Sequence, residues 1–148
     1  MSSRHCWRLS GGETPLPDLV PRETDMVRVG WGLGMASIDA MIDIGEPVGP
    51  LLCCTLHKRL LVPVVSGTAS WWSAPHSDYG RGRMLHCSLQ GPESVCVGRR
   101  FWVLPPEPRV YATTDPQRLY DSLGLTRTQL RHTTRQTAGA GPRVVCHV

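Results

Sequence analysis

An α+β domain built on a mostly antiparallel sheet is what this 148-residue sequence predicts, and three observations carry the prediction. First, a strand-like run, Val27-Arg28-Val29-Gly30, leads directly into apolar residues at helical spacing: Met35, Ile38, Met41 and Ile42. Second, apolar runs at 51–54 and 60–65 flank the polar link Leu56-His57-Lys58-Arg59, the pattern of a β-hairpin. Third, Asp115-Pro116 precedes a stripe of Leu119, Tyr120 and Leu123, which is a helix start. The expected architecture is one small domain. Its sheet is packed by one central helix and by one or two C-terminal helices.

Taken in order, residues 1–24 hold Ser, Gly, Pro and charge without periodicity, and read as a disordered or loosely attached arm. The globular domain is expected over 25–137, with a tail at 138–148. Asp39 and Asp43 are i, i+4 neighbours on what should be the solvated face of the central helix. Gly45 is suited to end that helix, and Pro47 and Pro50 prevent its return. Pro63 marks the second hairpin strand as an edge or a bulge. A turn at 66–68 enters a short helix capped by Ser66 or Thr68. Short strands are expected at 84–89, 94–97 and 100–104. In the last of these, one of Phe101 and Trp102 is buried. Gly124 ends the Asp115 helix, and Thr126 with Gln129 forms a capping box for a second one.

Composition narrows the function. The formal net charge is +4, short of the basic footprint of a dedicated nucleic-acid module. One lysine, Lys58, stands against fifteen arginines, as codon bias in a GC-rich genome produces. No window is apolar enough to span a membrane, and there is no secretory signal core. The expected location is therefore cytoplasmic, with no membrane partner and with the cysteines as thiols. Cys53 and Cys54, inside an apolar run, read as small buried hydrophobes.

Four groups of residues carry side chains of the kinds that make sites. His76 and Asp78 share a loop with Ser73 and Ser77, a hydroxyl–imidazole–carboxylate grouping, although sequence neighbours rarely align as a triad. Asp39 and Asp43 could face a divalent cation but lack the further oxygen ligands it needs. His86, Cys87 and Cys96 are metal-ligand types, and Cys87 and Cys96 could meet across a hairpin. With no Cys-x2–4-Cys knuckle, no metal and no cofactor are expected. Leu119 to His132 is similar to a helix-turn-helix. Gly124 would sit at its turn, Leu125 and Leu130 in its core, and Arg127, Thr128, Gln129 and Arg131 toward a DNA groove. The alternative there is an amphipathic helix docked on the sheet.

A wider pattern adds to this. It consists of Asp25-x-Val27-x-Val29, Gly34-x3-Ile38, Ile44-Gly45-x2-Val48-Gly49-Pro50, Arg59-Leu60-Leu61-Val62-Pro63-Val64 leading to Gly67-Thr68-Ala69, and Phe101-Trp102-Val103-Leu104-Pro105-Pro106. Over residues 25–108 it resembles short relatives, in high-GC bacteria, of the N-terminal domain of bifunctional DNA primase/polymerases. The resemblance implies an α+β fold and, in active members, nucleotidyl transfer assisted by two metal ions. That chemistry needs a strand-borne Asp-x-Asp, which this sequence lacks, and a Ser-x-His motif, which Ser73-Ala74-Pro75-His76 only echoes. The first functional expectation is thus a non-catalytic primase/polymerase-like accessory or regulatory domain that binds DNA or a protein weakly. The alternative is a protein–protein interaction module with no nucleic-acid role. A metal-dependent nucleotidyl transferase ranks third.

Overall fold

The computed structural model describes residues 3–12, 18–82, 87, 96, 98–106 and 111–134. Six strands, β1 (Arg8–Gly12), β2 (Thr24–Gly30), β3 (Leu51–Cys54), β4 (Arg59–Val65), β5 (Ser77–Gly80) and β6 (Arg100–Leu104), form one sheet in the order β1-β6-β3-β4-β2-β5. Every neighbouring pair is antiparallel. Two helices, α1 (Trp31–Asp43) and α2 (Pro116–Thr134), pack on each other and on the sheet. The predicted class, a small single domain of mixed α and β content with an antiparallel sheet, is the one observed.

The core of the fold is a split β-α-β unit. β2 and β3 both run antiparallel to β4, which lies between them. The chain therefore crosses from β2 through α1 to β3 and turns back through residues 55–58 to fill the gap with β4. Helix α1 starts without a side-chain cap at Gly30. Instead the Trp31 amide donates to the Lys58 carbonyl at 2.9 Å, and the Trp31 indole N–H donates to the Arg59 carbonyl at 2.9 Å. The hairpin turn thus holds the helix start. Gly45 ends the helix as expected, with φ 80°. Its amide donates to the Ile42 carbonyl and that of Glu46 to the Met41 carbonyl, a Schellman motif. Gly49 approaches Thr113 so closely that a Cβ would stand 2.9 Å from backbone atoms.

Alternation along the strands divides the apolar residues between two faces. One face, with Val27, Val29, Leu51, Cys53, Leu60, Val62 and Val103, packs under the helices with Met35, Ile38, Leu119 and Leu123. The other carries Met26, Leu52, Cys54, Leu61 and Trp102, and is covered by Cys87 and Cys96. Trp102 is fully buried and Phe101 partly so, as their alternation predicted.

Five expectations are corrected. Residues 1–24 are not wholly a loose arm: β1 pairs with β6, and Ser3, Arg4 and His5 bond α1. Asp39 is accordingly not on a solvated face. It is 3% exposed, and its carboxylate accepts from the Ser3 hydroxyl at 2.6 Å and the Arg4 amide at 2.8 Å. Pro63 sits on an interior strand. Its carbonyl accepts from the Thr114 amide, so its polar edge points away from β2 to a level that β3 has not reached, and the missing N–H costs no ladder bond. The short helix is a 3-10 turn, Thr68–Ser70, entered through Gly67 at φ 94°, with neither Ser66 nor Thr68 as its cap. Finally, Gly124 ends nothing, because α2 runs unbroken through it. The Asp115 carboxylate does cap α2, accepting from the Arg118 amide at 2.8 Å. The predicted strands at 84–89 and 94–97 lie outside the described residues apart from Cys87 and Cys96, as does the tail at 138–148. Among the described residues, no helix is long and apolar enough to cross a membrane.

Candidate metal centre

The turn between β3 and β4 reads Cys54-Thr55-Leu56-His57. Cys54 ends β3 with its side chain on the face away from the helices. The turn curls back so that the His57 amide donates to Cys54 Sγ at 3.4 Å, while His57 Nδ1 stands 3.5 Å from the same sulfur. Two further cysteines arrive from the connection between β5 and β6. Cys96 Sγ lies 3.3 Å from His57 Nδ1, and Cys87 completes the group. The four ligand atoms, three Sγ and one imidazole nitrogen, all fall within 4.8 Å of one another.

These distances suit a tetrahedral ion. With Zn–S near 2.3 Å and Zn–N near 2.0 Å, a regular tetrahedron has S···S edges of about 3.8 Å and N···S edges of about 3.5 Å. Three thiolates and one imidazole are also the donor set that Zn²⁺ selects. The three cysteines are buried and the histidine is exposed, so an ion would be enclosed on the protein side and reached past His57. All four positions are filled by protein, which is the pattern of structural rather than catalytic zinc.

Electrostatics fit the same picture. Burial pushes the Cys87 thiol up to about 12; a hydrogen bond with Cys54 adds to this and the Arg100 guanidinium opposes it. Without metal the thiol stays protonated, and metal binding must expel its proton. Three thiolates around a dication leave one negative charge. Arg100, largely buried at the start of β6, places Nη1 3.8 Å from Cys87 Sγ and can balance it.

Of the residues singled out from sequence, Cys87 and Cys96 do meet, and Cys54 and His57 join them. His86 lies outside the described residues. His76 and Asp78 sit elsewhere, beside a hollow of about 430 Å³ bounded by Gly30 and by residues 57–59 and 76–78. They form no triad with serine. Ser77 Oγ donates to the Ala74 carbonyl and accepts from the Trp72 indole, while the Asp78 carboxylate pairs with Arg28 and with Arg59. Arg127, Thr128, Gln129 and Arg131 ride on the outer half of α2, without the turn their helix-turn-helix reading requires. Leu125 and Leu130, expected in that motif's core, are 67% and 45% exposed.

The missed half-site was visible as Cys54-x2-His57. A search for paired cysteines alone passes over it, and nothing local says that Cys87 and Cys96 fold back onto this turn. Comparison with protein-family models, curated proteins and solved structures finds no match for the chain.

Proposed function

We propose that this chain is a non-catalytic accessory or regulatory domain stabilised by a zinc ion. One observation carries the reading: Cys54, His57, Cys87 and Cys96 converge with ligand atoms within 4.8 Å, at the spacing of a closed tetrahedral site. The ion fastens the β5–β6 connection to the back of the sheet, where the small second core of Met26, Leu52, Leu61 and Trp102 needs a cover.

The carboxylates support the absence of nucleotidyl transfer. Asp25 accepts from the Ala69 and Gly82 amides, Asp39 holds residues 3 and 4, and Asp78 is shared between two arginines. Each is committed to holding the fold. Among the described residues, the one group of three or more metal-ligand side chains is the Cys/His cluster. On this reading, the primase/polymerase-like pattern over residues 25–108 marks a relative that has kept a framework without the metal-binding carboxylates.

Chelation tests the proposal. Protein stripped of metal should melt at a clearly lower temperature than the zinc-loaded protein, and zinc should restore it. Identical melting of the two forms would contradict the reading.

A further inference from the structure

We infer that the hollow beside the metal centre is a binding site for the terminal phosphate of a small phosphomonoester. Gly30, the β3–β4 turn and the entry to β5 form its walls, and its volume of about 430 Å³ falls in the range of small-ligand sites. Among the described residues no apolar side chain lines it, so its walls favour a polar ligand.

Charge selects the ligand. Asp78 on the wall is shared between the fully buried Arg28 and the half-exposed Arg59. With Lys58, these three cations exceed the one carboxylate by two positive charges among the described residues. A phosphomonoester brings about −1.5 to −2 at neutral pH, which matches that excess, whereas a phosphodiester brings one charge. His76 adds an imidazole donor.

Backbone strain points to the same place. Lys58, at φ 51°, and His76, at φ 60°, are the non-glycine residues with positive φ among those described, and both line the hollow. Glycine or asparagine would sit there without the cost of a left-handed backbone. Lys58 is also the chain's one lysine, a compact point charge where arginine is used elsewhere. Its ammonium is steadied 4.9 Å from the Trp31 ring centroid, at the helix start that the same turn holds.

The inference rests on the proposed metal centre only in that His57 forms a wall of both sites. Zinc-loaded protein is titrated at fixed ionic strength with inorganic phosphate, glycerol phosphate and dimethyl phosphate, followed by amide and indole NMR shifts. The expected result is saturable binding of the first two, with shifts at residues 57–59 and 76–78, and at least tenfold weaker binding of dimethyl phosphate. Lys58→Gly, which suits the backbone, should keep the fold and the zinc but lose at least tenfold in phosphate affinity. Lys58→Asn is the second variant should glycine disturb the turn. No saturable shift up to about 10 mM phosphate, equal binding of the diester, or unaltered affinity in the folded lysine variants would each overturn the inference. Zinc content is read on the same samples. Phosphate binding without zinc would remove the metal reading and leave this one standing, and zinc without phosphate binding would do the reverse.

Discussion

Cys96 Sγ and His57 Nδ1 lie 3.3 Å apart although 39 residues separate them in the chain. The contact joins Cys96, in the β5–β6 connection, to the β3–β4 turn, and among the described residues no strand pairing links the two. It also decides which cysteines matter. Cys53 and Cys54 are adjacent, yet strand alternation sends Cys53 under the helices and Cys54 into the cluster. Cys96→Ser and His57→Ala should each weaken zinc binding by about a hundredfold or more, whereas Cys53→Ala should leave it unchanged. Competition with a chromophoric chelator measures all three, and equal losses would contradict the assignment.

Asp25 separates a structural carboxylate from a metal ligand. Its two oxygens accept from the Ala69 amide at 2.9 Å and the Gly82 amide at 3.0 Å, tying two turns to β2. Asp25→Ala strands two amides and should cost about 2–4 kcal/mol in urea unfolding, with zinc content unaltered. A neutral substitution would mean that those turns are not anchored there.

Gly124 distinguishes a continuous helix from a helix-turn-helix. A Cβ at this position meets nothing within 4 Å, and the backbone is helical. Gly124→Ala should therefore stabilise the protein by about 0.5–1 kcal/mol. In a turn that needs positive φ the same change would destabilise it, so the sign of the shift in Tm decides between the two.

Much of the framework was legible because its signals are local. The Val27-Arg28-Val29 strand, the spacing of Met35, Ile38 and Met41, the Gly45 terminator and the Asp115-Pro116 start each depend on a few neighbouring residues, and each stands as read. Gly124 misled because glycine and a downstream Thr-x2-Gln resemble a helix end and a new cap, while packing of Leu119 and Leu123 carries the helix through. The metal cluster was only half legible. From their spacing Cys87 and Cys96 could meet, but no metal was expected there, because their convergence with Cys54 and His57 is a long-range contact that no periodicity encodes. Asp39 was misplaced for the same reason, since its partners Ser3 and Arg4 lie 36 and 35 residues away.

Alkaline pH should loosen the fold in a calculable direction. Burial pushes the Cys53 thiol up from 9.0 to about 12. The folded state therefore holds the proton that the unfolded chain gives up first. This contribution is intact below pH 9, shrinks as pH rises, and is gone once pH passes about 12. Cys53→Ala should flatten that part of the decline in urea unfolding between pH 9 and 11, and an unchanged slope would show that the thiol is not sequestered.

The most direct measurement is the zinc content of protein purified under reducing conditions without added metal, by elemental analysis against protein concentration. One zinc per chain, lost in Cys96→Ser and kept in Cys53→Ala, is the predicted result. A native chain that folds and melts cooperatively with no bound zinc, and takes up none when it is offered, would contradict the account.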